Sequence, residues 1–259
     1  MWQTDGVPFA VVTYTRHEFP RHFHDHHVIM RVDAGINLGE KNRRPYAVMK
    51  NQLLFINPGE VHNGRSAGGK PLTYQAIYPD DRKLKGWLEA FELESNAPGE
   101  FTQHIVTEPE IANTFSALFH SDTRRDPLAA STLTCQLLDL LKVHRRPASL
   151  KPENDRIRKA KAYLIDHSDA SEVSLTELSR HVGLSPYYFI RLFKQTTGLT
   201  PFEYARNHRV EHAKRLMRRH PPMSLTEIAV AAGFYDQSHF IRAFRKVTGT
   251  TPLHHRRTA

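Results

Sequence analysis

A repeated segment in the last third of the chain restricts the fold more than any other feature of its 259 residues. Ser174-Leu175-Thr176-Glu177-Leu178 returns as Ser224-Leu225-Thr226-Glu227-Ile228, and Gly183-Leu184 returns as Gly233-Phe234, each displaced by 50 positions. After one inserted residue the displacement becomes 51, and 189–201 matches 240–252 at eight of thirteen positions. Both copies read as the same unit. A serine N-cap with a glutamate three residues on opens a short helix. Gly183 or Gly233 supplies a positive-φ stop. A second helix then begins, at Pro186 in the first copy, where proline suits a first helical turn, and it ends at Gly198 or Gly249. Helix, glycine turn, helix, written twice, is a tandem helix-turn-helix.

Charge follows the same division. Residues 1–145 hold 16 Lys+Arg and 17 Asp+Glu, net −1, whereas residues 146–259 hold 20 and 10, net +10. The basic excess lies entirely in the half that carries the repeat, which is the footprint of a polyanionic partner. Within the second helix of the first copy, Phe189, Leu192 and Phe193 share one side and are expected in the core. Tyr187, Ile190, Arg191 and Lys194 fall at i, i+3, i+4 and i+7 on the opposite side. In the second copy Phe240 and Phe244 face inward and Gln237, Ser238, Ile241, Arg242 and Arg245 outward. Arginine and glutamine near the start of a major-groove helix are the residue types that read guanine and adenine edges bidentately.

These motifs resemble the C-terminal domain of the AraC/XylS family of bacterial transcription regulators over about 100 residues, from Arg156 to the end. The resemblance rests on Ser174 to Leu178 with Gly183 to Pro186, on Phe193 to Pro201, and on Ala229 to Phe234 with Ser238-His239-Phe240. It implies that one long helix, Pro201 to Arg218, joins the two units, with Val210, Ala213 and Leu216 inward. It also implies that 186–195 and 237–247 are the recognition helices, entering successive major grooves of promoter DNA, and that RNA polymerase is a partner. Base readout then falls to Tyr187, Arg191, Gln237, Ser238 and Arg242. Phosphate neutralisation falls to Arg180, Lys194, Arg206, Arg209 and Arg245. Ile190 and Ile241 stand at outward positions where polar residues are common in the family, which suits thymine methyl or sugar contact better than hydrogen bonding.

The first half has another texture. Val11–Tyr14, Val28–Val32 and Leu53–Ile56 are β-branched or aromatic runs separated by Ala34-Gly35, Gly39 and Asn57-Pro58-Gly59, the pattern of a small β-barrel or sandwich. Residues 81–91 (Leu84, Leu88, Phe91), 109–120 (Ile111, Phe115, Leu118, Phe119) and 126–144 carry helical spacing. In the last of these Leu133, Leu137, Leu140 and Leu141 form a stripe that suits either core or a homodimer seam. Arg21 to His27 holds four histidines, and His62 follows a Pro-Gly turn. Strand alternation would place His22, His24 and His26 on one face. The spacing resembles the two cupin motifs, implying a metal set of His22, His24 and His62. Val28, Ile29, Met30 and Arg31 stand where the cupin glutamate is expected, so no metal or other cofactor is assigned. His24, Arg31, Tyr74 and Tyr78 are the candidates for lining an effector pocket.

The reading is a two-domain α+β chain: a cupin-like β-barrel with trailing helices over 1–144 for sensing or dimerisation, a linker over 145–155, and an all-α tandem helix-turn-helix domain over 156–259. Its expected function is sequence-specific DNA binding as a transcription regulator, with activation in response to a small-molecule effector and no enzymatic activity. The single Cys135 excludes a disulfide framework and fits a reducing compartment. No apolar run approaches the ~18 residues of a membrane span, and residues 1–6 lack a secretory pattern, so the expected location is the cytoplasm. Two other readings stay open at this stage: a metal-dependent cupin enzyme with a DNA-binding tail, and a regulator without an effector.

Overall fold

The computed structural model describes residues 9–90, 99–120, 126–141, 144–146, 154–167 and 173–258. Phe91, the end of the expected third helix at 142–143 and most of the expected linker (147–153) lie outside the described residues, as does the side chain of Leu88. Arg145 and Arg146, at the start of that linker, pair as a short strand, and Asp155 at its end opens a helix.

The first half consists of two antiparallel sheets. One has the order β1-β8-β3-β6-β10, formed by Phe9–Tyr14, Leu72–Ile77, Val28–Ala34, Leu53–Ile56 and Ile105–Val106. The other has the order β2-β7-β4-β5, formed by Glu18–His22, His62–Ser66, Asn37–Lys41 and Arg44–Val48. A third pairing joins β9 (Glu100–Phe101) to β11 (Arg145–Arg146). The expected strand at Leu53–Ile56 is found at those bounds. The strands with mixed sequences, β4, β5 and β7, have no counterpart in the periodicity, because Gly, Asn, Arg and His obscure period-two alternation. Val28, Met30, Val32, Leu54, Ile56, Leu72 and Ala76 fill the space between sheets, with Tyr14, Tyr46, Tyr74 and Tyr78 packed against them.

The other face of the five-stranded sheet, carrying Ile29, Leu53, Phe55 and Ile77, packs on α1 (Asp81–Ala90), α2 (Pro109–Ala117) and α3 (Pro127–Leu141). Leu137, Leu138 and Leu141 are buried in this layer and Leu133 and Leu140 lie against it. The leucine stripe is therefore core of its own chain. Among the described residues, no helix is long and apolar enough to cross a membrane.

The second half is helical: α4 (Asp155–Asp166), α5 (Leu175–His181), α6 (Pro186–Thr197), α7 (Pro201–Arg219), α8 (Leu225–Ala231), α9 (Gln237–Thr248) and α10 (Pro252–Thr258). Each helix pair of the repeat encloses its own core, around Phe189 and Phe193 in one and Phe240 and Phe244 in the other. The expected caps divide in an instructive way. Ser224 and Glu227 complete a capping box at α8. At α5 Ser174 accepts from the Glu177 amide, but the Glu177 carboxylate accepts from Tyr163 Oη at 2.7 Å instead of closing the box. Gly183 and Gly233 take φ of 66° and 79°, the left-handed stop that a side chain would resist.

Candidate nucleic-acid interface and its junction with the sheets

The second helix of each unit projects its N-terminal half into solvent. In α6, Phe189 and Phe193 are buried while Tyr187, Arg191 and Lys194 are exposed. In α9, Phe240 and Phe244 are buried while Ser238, Arg242 and Arg245 are exposed. Gln237 is half-buried, and its amide oxygen accepts from Thr226 Oγ1 at 2.8 Å, which leaves its NH2 to donate outward. Ile241 packs against the core of the second unit. Its aliphatic spacing is explained by that packing, whereas Ile190 is only partly covered. Arg180 is exposed on α5. Arg206 is different from the other expected phosphate contacts: it is half-buried, stacks over Phe202 at 5.8 Å and carries a buried Nε. Arg209 is also partly covered on α7. Tyr235, 86% exposed in the turn before α9, belongs to the same surface but escapes sequence reasoning, because a lone aromatic in a turn has no periodic signature.

The C-terminal ends of both helices meet the sheets. Arg43, in the β4–β5 turn, donates to Lys194 O at 3.1 Å and to Gln195 O, supplying a cation to the carbonyl end of α6. Gly249, which ends α9 with φ of 74°, lies under His17, and a methyl added there would come within 2.7 Å of that ring. Arg21, Glu40 and Arg43 face Gln195 to Gly198 across an open cleft of about 380 Å³.

The centre of the junction is built on α7. Phe23 stacks on Tyr204 at 5.0 Å, Asp25 pairs with Arg215, and His24 Nδ1 lies 3.3 Å from Glu211 Oε1. Glu211 is 2% exposed and also accepts from Lys214 Nζ at 2.7 Å. Burial would raise its carboxyl, but Lys214 and His24 hold it well below the usual range. A carboxylate beside Val210 and Ala213, in the apolar register of a long helix, is the sequence signal for this contact.

The histidines meet in a way that strand alternation does not anticipate. Only His22 is on β2; His24 and His26 lie in the turn beyond it. Nevertheless His22 stands in register with His62 of β7. Their ring centroids are 4.2 Å apart, and His24 lies 4.8 Å from His22 and 5.1 Å from His62. Burial, followed by the neighbouring His24, pushes His22 down to about 3. Burial pushes His24 down to about 4 against the opposing pull of Glu211, and it pushes His62 well below its ordinary range. Burial thus favours the neutral form of all three rings.

The expected effector-lining set is split. Tyr74 and Tyr78 pack against the inter-sheet core, and His24 reaches the same end through His26, which lies edge-on to Tyr78 at 5.5 Å. Arg31 does not join them. It alternates with Met30 and Val32, so it points to the opposite face of β3, where it pairs with Asp33 and donates to Asn51 Oδ1 at 2.7 Å.

Comparison with known proteins agrees with this anatomy. A family profile for a helix-turn-helix domain matches residues 178–258, and one for an AraC-like ligand-binding domain matches residues 10–138. The chain belongs to the AraC family of transcription regulators. This regulator is 29% identical over 243 residues to the transcriptional activator RhaS of Escherichia coli strain SE11, covering 91% of this chain and 86% of RhaS. It is 27% identical over 230 residues to the HTH-type regulator YbfI of Bacillus subtilis, covering 86% and 81%. Crystal structures of ToxT from Vibrio cholerae share the two-domain fold. One superposes with a TM-score of 0.56 at 12% identity, covering 96% of this chain and 97% of ToxT. The regulator thus pairs a ligand-binding domain with a tandem helix-turn-helix DNA-binding domain.

Proposed function

We propose that this regulator activates transcription from specific promoters when a small-molecule effector occupies its sheet domain. The carrying observation is the opposed exposure of α6 and α9: their N-terminal turns are open, while their C-terminal ends are held by Arg43 and by the residues around His17. That polarity suits two helices entering DNA from one side. Tyr187, Arg191, Ser238 and Arg242, with the donor NH2 of Gln237, are the base-reading candidates. Arg180, Lys194 and Arg245 are the phosphate candidates. Arg206 and Arg209 join them only if their partly covered side chains are released.

Activation, supported by the likeness to RhaS, implies contact with RNA polymerase, and the protein would act in the cytoplasm as a DNA-bound factor rather than an enzyme. A homodimer would use a face other than the α3 leucine stripe, which is consumed by the core. We place the domain division at the expected 145–155 segment. Effector action requires different affinities in two arrangements of the sheet and helical domains, and the contacts on α7 are the ones such a change would break.

Genomic footprinting followed by binding measurements on the recovered site and on random DNA tests the reading. Tight, site-selective binding supports it, and equal affinity for both sequences overturns it. A thermal-shift screen with metabolites tests the effector, because a ligand at 100 times its Kd stabilises by ~2.7 kcal/mol.

A further inference from the structure

Gln237 stands at the first position of α9, yet its side chain is held from the neighbouring helix. Its amide oxygen accepts from Thr226 Oγ1 at 2.8 Å. Thr226 is exposed at the second position of α8, and Gln237 is half-buried. A carboxamide is planar and its two ends differ: the oxygen only accepts and the nitrogen only donates. With the oxygen turned back onto α8, the NH2 group becomes the end that leads outward. Phe240 and Phe244 anchor α9 in the core of the second unit, so the helix cannot roll to bring the oxygen round. The first unit has no counterpart. The displacement of 51 puts Pro186 at the place of Gln237, and proline has no donor in either its side chain or its backbone. Thr176, the equivalent of Thr226 at the displacement of 50, has no glutamine to hold. The two units are unequal at their leading position.

In the major groove a guanine edge offers two acceptors, N7 and O6, whereas an adenine edge offers the N7 acceptor beside the N6 amino donor. A glutamine free to turn matches adenine with both ends of its amide. A glutamine that leads with NH2 alone fits two neighbouring acceptors and sets its donors against the adenine amino group. Guanine is also the better match than thymine, whose single O4 acceptor lies beside a methyl group.

We propose that Thr226 is a positioning residue that makes Gln237 a donor-only reader, so that the second unit selects guanine and rejects adenine at the base pair met by the start of α9. This rests on α9 being a recognition helix, and extends that reading from which residue reads to which base is read. Thr226 itself touches no base in this scheme; it acts by fixing which end of the Gln237 amide the DNA meets.

The test is selection of bound sequences from a randomised duplex DNA pool by the full-length protein and by Thr226→Val, Thr226→Ser and Gln237→Ala, with circular dichroism to confirm that each variant is folded. The wild type is expected to enrich a motif in which one base pair, identified by its lost preference in Gln237→Ala, is G·C. Thr226→Val removes the hydroxyl with little change of shape at an exposed position, and the same base pair shifts toward A·T. On the recovered site the ratio of G·C to A·T affinity falls by about 10-fold, while the rest of the motif is unchanged. Thr226→Ser keeps the hydroxyl and keeps G·C. A·T at the Gln237-dependent pair in the wild type overturns the donor-only reading. An unaltered preference in Thr226→Val, or a uniform loss of affinity at every position, overturns the positioning role. A motif that Gln237→Ala leaves intact removes Gln237 from readout and the proposal with it. The absence of any enriched motif in the wild type is a separate failure, that of sequence-selective DNA binding itself.

Discussion

Acidification should unfold this regulator from its domain junction. His22 and His255 are pushed by burial to about 3 and His24 to about 4, against an ordinary value of 6.5. A histidine held neutral in the fold takes its proton only in the unfolded chain between those two values. Its contribution to stability is complete above pH 6.5 and is lost as pH falls toward the folded value. Between about pH 7.5 and about pH 5.5 each such group withdraws about 1.4 kcal/mol, one pKa unit's worth. These three withdraw about 4 kcal/mol, a large share of the 5–15 kcal/mol that holds an ordinary domain folded, and His62 and His208, which burial also lowers, add to it. Chemical denaturation at the two pH values, with chelator present so that no ion competes with protons, measures the difference directly. His255→Phe keeps a ring against Phe244, whose centroid lies 5.3 Å away. It should remove the share of His255, about 1.4 kcal/mol, from the loss. Coincident unfolding midpoints at both pH values would refute the reasoning, and so would a variant that loses as much stability as the wild type.

Three further outcomes are expected. Arg191→Ala or Arg242→Ala should cost ~1–3 kcal/mol on the specific site and relax selectivity at one base pair; equal losses on specific and random DNA in fluorescence anisotropy would remove the base-reading role. Lys194→Ala and Arg245→Ala should weaken binding on all sequences and lower the slope of log K against log salt by about 0.9 each if each side chain neutralises one phosphate, which a salt titration reads. Gly249→Ala should destabilise by about 1–3 kcal/mol through its positive φ alone, with more from the contact with His17; a melting temperature equal to that of the wild type would show that the sheet domain does not press on the end of α9.

The repeat, the caps and the glycine stops are legible in the sequence because helix-turn-helix chemistry is local: period 3.6, an N-cap serine and a left-handed glycine all lie within one unit. For the same reason helical spacing alone places Phe189, Phe193, Phe240 and Phe244 in the core, and Arg191, Ser238 and Arg242 outside it. The polar strands are harder. β4 and β7 pair through Asn37 and Ser66 and through Lys41 and His62, residues whose strand character comes from their partners rather than from propensity. Arg31 falls on the other side of its strand from the expected pocket because the sequence does not say which of two apolar faces, that of Ile29 or that of Met30, encloses the inter-sheet space.

By itself the sequence determined the tandem recognition units and the neutral and basic halves, and the cupin resemblance singled out His22, His24 and His62. Tertiary structure alone decided what those histidines face. His22 and His62 are 40 positions apart and His24 and Glu211 are 187 apart. No periodicity reaches across such intervals; only strand register and the docking of α7 on the sheets bring the rings and the carboxylate together. Local propensity writes helices and caps, whereas a site made by two domains exists only once both have folded and packed.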